Sequence, residues 1–188
     1  MLNFLEPYQA EWLTEFEQLK KALLQVLEEY EIDVQHVGST AIPNLFAKPI
    51  LDIDVILENK SLIGEITSKL ELIGYKSRGE QGIPGRFAFR QESKKTPNIG
   101  KSKIWQEHHL YVCYSDSLAL KNHLLFRDAL LKNQKLVQEY SQLKLKLTKE
   151  PGMTREDYTR KKTDFILSVL SSFGLDETEL NEIKRANL

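Results

Sequence analysis

The sequence predicts an α+β protein, strand-rich over residues 30–115 and covered by a helical half over 117–188. Three observations carry that expectation. Apolar residues alternate over 33–37, 50–57 and 108–114; a helical apolar period precedes them; and from Ser117 onward the pattern is helical throughout. A chain of 188 residues fits a single domain and is long enough to close a core without a disulfide or metal.

Over residues 10–30, Leu13, Phe16, Leu19, Leu23, Leu27 and Tyr30 recur at three- and four-residue steps, which predicts an amphipathic helix. A strand over 33–37 follows and stops at Gly38-Ser39. Ser39 is placed to cap a short helix reaching Leu45, with Pro43 tolerated in its first turn. The strand over 50–57 sends Leu51, Ile53, Val55 and Leu57 to one face and Ile50, Asp52, Asp54 and Ile56 to the other. Ile63, Ile66, Leu70 and Ile73 mark a helix over 62–74, ended by Gly74. The glycine-rich 79–85 reads as a turn or loop, 86–90 as a strand, and the polar 91–103 as a loop or hairpin tip before the strand over 108–114. Helices are expected over 117–133, 134–149, 155–173 and 178–186. Thr154 is placed to cap the third of them, with Asp157 three residues on.

Twenty-six basic and 27 acidic residues leave a formal charge of −1, so no global field draws the chain to nucleic acid or an anionic membrane. The single Cys113 excludes an internal disulfide and a cysteine zinc site; it reads as a small apolar residue of the last strand. No apolar run approaches the roughly 18 residues needed to cross a bilayer. The N-terminal segment carries an acid where a signal peptide carries basic residues, and the cytoplasm is the expected compartment.

The chemistry concentrates between residues 35 and 57. Strand alternation sets Asp52 and Asp54 on one face with Cα atoms roughly 6.5–7 Å apart. Two carboxylates so placed can share a hard divalent cation, and magnesium is commonly held by a few carboxylates plus phosphate oxygens. Gly38 allows close backbone approach, and Ser39 adds a hydroxyl and a helix-start amide for phosphate. Alone, an Asp-x-Asp on an exposed strand and a Gly-Ser turn are both commonplace. In strand, turn, helix, strand order they form the context that metal-assisted phosphoryl chemistry requires.

Those motifs resemble the signature of the nucleotidyltransferase (DNA polymerase β-like) superfamily. More narrowly, His36-Val-Gly-Ser-Thr-Ala-Ile-Pro with Lys48-Pro-Ile-Leu-Asp-Ile is similar to the GrpB-like family within that fold. The similarity continues through His108-His-Leu-Tyr-Val, Phe126-Arg-Asp-Ala-Leu, Glu139-Tyr-Ser-Gln-Leu-Lys and Tyr158-Thr-Arg-Lys. The resemblance implies a nucleotidyltransferase-like mixed β-sheet with helices packed against it. It also implies a third carboxylate on a later strand, where this chain offers His109; the family pattern has a further His where this chain has Tyr111. His109 joins Asp52 and Asp54 as a candidate catalytic residue and metal ligand, since neutral imidazole both ligates and accepts protons.

Gly38, Ser39 and Thr40 are candidates for the triphosphate, and Lys48, between the turn and the aspartates, for a phosphate contact. Arg86 and Arg90, four apart on one strand face, read either as a clamp on triphosphate or an acidic substrate, or as solvated edge arginines. Arg127, Lys144 and Lys161 match the family pattern on the back-half helices. Arg127 beside Asp128 equally reads as an ion pair, and Lys161, within Arg160-Lys-Lys162, as part of a solvated face. His36 reads as structural or catalytic, His123 as packing or surface, and Trp12 and Trp105 as core or loop anchors.

The expected function is magnesium-dependent transfer of a nucleotidyl group from a nucleoside triphosphate, or a related phosphorylated small molecule, to an acceptor. A catalytically degenerate nucleotide- or cofactor-binding module on the same fold and a protein docking through its helical half are the alternatives. A P-loop kinase is disfavoured because no Gly-x4-Gly-Lys-Ser/Thr occurs.

Overall fold

At the centre of the computed structural model, which describes residues 4–100 and 103–186, is a five-stranded sheet in the order β1–β2–β5–β4–β3. The strands are β1 (Ile32–Val37), β2 (Leu51–Leu57), β3 (Tyr75–Ser77), β4 (Arg86–Gln91) and β5 (His108–Tyr114). β2 and β5 are parallel and every other neighbouring pair is antiparallel. A parallel pair needs a long crossover, here supplied by α2 (Ile63–Leu72) and the β3–β4 hairpin.

One sheet face is the core. Leu51, Ile53, Val55 and Leu57 of β2, with Leu110 and Val112 of β5, pack under Trp12, Phe16, Leu19 and Leu23 of α1 (Glu11–Val26) and Ile66 and Leu70 of α2. At about 1.5–3 kcal/mol for each large apolar side chain buried, this layer fixes α1 and α2 on the sheet. The helix ends at Val26, short of the expected Tyr30. Tyr30 still packs on the core from the turn that follows.

The opposite face is polar, and its rows follow from the strand registers. Val37, Asp52, His109 and Arg90 form one row, and Gln35, Asp54, Tyr111 and Ala88 the next. A third row holds Asp33, Ile56, Cys113 and Arg86. The back half lies against this face as α3 (Leu118–Lys132), α4 (Gln134–Lys149), α5 (Arg155–Ser172) and α6 (Glu177–Ala186). Ile42 and Leu45, from the segment after β1, pack with Leu130, Val137 and Tyr140, and so tie α3 and α4 to that segment.

The expected helix between Ser39 and Leu45 is instead a single 3-10 turn, Ser39–Ala41, with no side-chain cap. Pro43 and Asn44, the latter at φ 65°, end it, and the Ser39 hydroxyl is engaged by Lys144 instead. The short β3 escaped the sequence pattern because three residues cannot display alternation. Thr154 caps α5 as expected, accepting from the Asp157 amide at 3.0 Å. Asn133 stands between α3 and α4 and accepts from the amides of Lys135 and Leu136. Asn133→Ala removes that cap and is expected to lower stability by about 1 kcal/mol in denaturant melts.

Candidate functional site

The centre of the polar face is a pair on the two parallel strands. His109 stands beside Asp52 in register, and its Nδ1 donates to Asp52 Oδ1 at 2.9 Å. That hydrogen bond to the carboxylate raises the His109 pKa above its ordinary value against the opposing effect of burial. An ionised carboxylate only accepts, so the proton sits on Nδ1 and leaves Nε2 of the neutral ring as an acceptor.

Gly38 meets the same carboxylate from β1. Its φ is +69°, and a Cβ there would lie 2.2 Å from Asp52 Oδ2, so only glycine lets the turn approach so closely. Ser39 follows, and its hydroxyl accepts from Lys144 Nζ at 3.1 Å. Lys144 is 2% exposed, rests over the Tyr140 ring and is paired with no carboxylate among the described residues. Burial, and secondarily the neighbouring Lys162, push its pKa down to about 7. Lys162, over the Tyr158 ring, is lowered by burial as well, with Asp52 pulling the other way. Ser39, Lys48, Asp52, His109, Lys144 and Lys162 all line one cavity of about 470 Å³.

Asp54, on the same strand face, belongs to a different environment. It is fully buried, and His123 of α3 donates from Nδ1 to its Oδ2 at 2.8 Å. Burial works against the charged ring, yet the Asp54 carboxylate carries the His123 pKa above its ordinary value. Cys113 completes a group of three whose ligand atoms lie within 4.8 Å of one another. Asp54 Oδ1 has no hydrogen-bond partner among the described residues.

This arrangement bears on magnesium. A hard cation takes oxygen donors, commonly one or two carboxylates with phosphate oxygens completing the shell. Asp52 fits: it is partly open, and its Oδ2 faces the Gly38 turn with no side chain between them. Asp54 is closed in with imidazole and thiol, a softer set, so the expected trio of Asp52, Asp54 and His109 divides into an open pair and a buried member.

A profile of the GrpB protein family matches residues 4–172. The chain belongs to that family. It is 30% identical over 159 residues to the UPF0157 protein YqkA of Bacillus subtilis, covering 85% of this chain but only 43% of that protein. It is also 30% identical over 170 residues to the UPF0157 protein SCO7215 of Streptomyces coelicolor, covering 90% of this chain and 83% of the relative. The crystal structure of the conserved protein GrpB from Enterococcus faecalis superposes with a TM-score of 0.72 at 30% identity, over 90% of this chain and 98% of that one. The Cid1 poly(U) polymerase bound to MgGTP matches at 0.52 and 15% identity, over 78% of this chain and 44% of that chain. At such low identity the likeness to Cid1 is one of fold, and it shows the sheet of this GrpB family member to be nucleotidyltransferase-like.

The remaining expected site residues divide by where the fold sends them. Thr40 is turned away from the cavity: buried, it shares a 3.0 Å hydrogen bond with His36 Nε2 and donates to the Ile50 carbonyl. His36 itself stacks on Phe16, and burial lowers its pKa to about 4, which keeps the ring neutral. Arg127 is committed to Asp128, the Gln35 side chain and the His36 carbonyl, bracing α3 on β1. Lys161 pairs with Glu150 at 2.7 Å, and the neighbouring Lys162 is the lysine that reaches the cavity. Tyr158, one helical turn before Lys162 and 6% exposed, already marks that inward face in the sequence. Arg86 lies over the Tyr111 ring, its centre 4.7 Å from the centroid and its Nε buried, whereas Arg90 stays exposed beside His109. His123, read as packing or surface, is instead the partner of Asp54; nothing in its helical period could reveal a carboxylate 69 residues away.

No helix among the described residues is long and apolar enough to cross a membrane.

Proposed function

We propose that the protein binds a nucleoside triphosphate in the cavity between Asp52 and Lys144 and transfers its nucleotidyl group to an acceptor hydroxyl. The observation that carries this reading is the Asp52–His109 pair facing Ser39 and two lysines, Lys144 and Lys162, that have no carboxylate partner among the described residues. Unpaired buried ammonium groups are costly, and a polyphosphate relieves that cost. Ser39, Lys48, Lys144 and Lys162 bind the phosphates; Gly38 keeps the turn close to the carboxylate. Asp52 would hold a magnesium ion together with phosphate oxygens, and such an ion neutralises charge on the polyphosphate. His109 takes the proton of the acceptor hydroxyl at Nε2 while Asp52 holds the ring in place. The acceptor oxygen bonds to the α-phosphorus, the bond from that phosphorus to the β-phosphate oxygen breaks, and pyrophosphate leaves. The nucleotidyltransferase-like fold and the polymerase described for Cid1 support the same reaction class.

Nucleotide capture without transfer is the second reading, favoured by the enclosure of Asp54. Titration of ATP and UTP with and without magnesium, followed by mass spectrometry of products formed from cell metabolites, separates the two. Asp52→Asn is expected to weaken magnesium-dependent triphosphate binding at least ten-fold and to abolish any nucleotidylated product. An unchanged affinity and an unchanged metal dependence in that variant would sink the reading.

A further inference from the structure

His109 lines two cavities, not one. Beyond the polyphosphate cavity, a second of about 810 Å³ opens along β4 and β5 on the other side of the ring. Its volume lies in the range of roughly 300–1,000 Å³ typical of small-molecule sites. Arg78, Arg90 and Lys94 line it, and none of the three has a carboxylate partner among the described residues. Elsewhere on the surface, lysines with a carboxylate within reach are paired: Lys60 with Asp116, Lys69 with Glu29, Lys161 with Glu150. Glu107 is the single acid in that wall among the described residues. Arg90 stands directly opposite His109 in the β4–β5 ladder, so an anion held there lies within one side-chain length of the proton-accepting ring.

The second cavity is unsuited to a nucleic-acid strand. Sequence-independent strand binding uses open aromatic faces as stacking platforms. Here Phe89 and Trp105 are buried, and the Tyr111 ring carries the Arg86 guanidinium.

We infer that this second cavity is the acceptor subsite and that the acceptor is a compact alcohol bearing a phosphate group. The inference rests on the nucleotidyl-transfer reading for the word acceptor, but its anion site stands on the cavity alone. Arg90, with Arg78 and Lys94, grips the phosphate, using the bidentate geometry that guanidinium offers. The hydroxyl of the same molecule then faces His109, gives it the proton and attacks the α-phosphorus, with pyrophosphate departing on the Ser39 side. Two positively lined cavities on either side of one imidazole thereby hold two anionic reactants apart until the transfer.

The test is amide chemical-shift titration of the whole chain with inorganic phosphate, glycerol 3-phosphate, ribose 5-phosphate, ribose and ATP, on wild type and Arg90→Glu. Arg90 is exposed, so the fold tolerates the exchange. The phosphorylated alcohols are expected to shift β4 and β5 amides and to bind at least ten-fold more tightly than ribose. Arg90→Glu is expected to weaken them ten-fold or more while ATP affinity stays within two-fold. Shifts confined to Ser39 and α4, equal affinity for ribose and ribose 5-phosphate, or equal loss of ATP and sugar phosphate would overturn the proposal. A short RNA that binds through Arg90 where no phosphorylated alcohol does would overturn it too. Failure of ATP to bind, with Arg90-dependent sugar-phosphate binding intact, removes the nucleotide reading and leaves the anion site in place.

Discussion

Gly38→Ala is expected to lower stability by about 3 kcal/mol or more and to abolish triphosphate binding. Two independent penalties add. The residue holds φ +69° with ψ −167°, a region open essentially only to glycine. Even with the backbone held, the new methyl carbon would meet Asp52 Oδ2 at 2.2 Å and its Cγ at 2.8 Å. The carboxylate cannot swing freely, because Oδ1 is tied to His109 and the strand behind it is core. Either the turn moves off β2, which carries Ser39 away from Lys144, or Asp52 leaves its histidine. For a chain of this length each 1 kcal/mol is worth about 2–4 °C in Tm, so a drop near 10 °C is the calorimetric signature. Nucleotide titration at a temperature where the variant remains folded isolates the functional loss. A variant that melts like wild type would remove the close approach of Gly38 and Asp52 from the account.

That contact also marks the limit of what the chain's pattern discloses. Alternation placed Asp52 and Asp54 on one strand face, and the registers agree. Their separate fates are decided by what lies above them: α3 lowers His123 onto Asp54, while the Gly38 turn and the α4–α5 lysines leave Asp52 open. A period-two pattern carries no information about the next layer. Core elements were legible because α1, β2 and β5 repeat over many residues, whereas β3 is three residues long and the turn at Ser39 is ended by the local conformation of Asn44. The choice between Lys161 and Lys162 hinged on helix phase, since a single residue rotates a side chain by roughly 100° about the helix axis. Arg127 shows the converse: its position matches a family pattern, yet its Nε and Nη1 donate to Asp128 of its own helix and to the Gln35 side chain and His36 carbonyl of β1.

Lys144→Met is expected to make the protein more stable by about 1–4 kcal/mol while eliminating triphosphate binding. Methionine keeps the packed stem and discards an ammonium that is 2% exposed and has no carboxylate partner among the described residues. Around that ammonium the Ser39 hydroxyl and the Tyr140 ring are in contact, and the charged and titratable neighbours are Lys162 from α5, with Lys48, Asp52, His109 and Tyr158 along the same cavity. The sign of the pH dependence follows. The side chain holds its proton up to about pH 7 when folded, against the ordinary 10.5 of a free lysine, so across that window the unfolded chain binds the extra proton. Stability of the wild type therefore rises with pH from about 7 towards 10.5 on account of this group, and its deficit relative to Lys144→Met is greatest below pH 7 and closes above it. Binding a polyphosphate restores the charge. At pH 8–9 wild type should then take up close to one proton as ATP binds, read as a dependence of titration heat on buffer ionisation enthalpy. Lys144→Met should show neither the heat dependence nor the binding. A less stable variant with unaltered ATP affinity would mean that Lys144 serves packing alone. The lysine that destabilises the free fold is the one that makes it receptive to an anion, which is the usual relation between a strained site and its ligand.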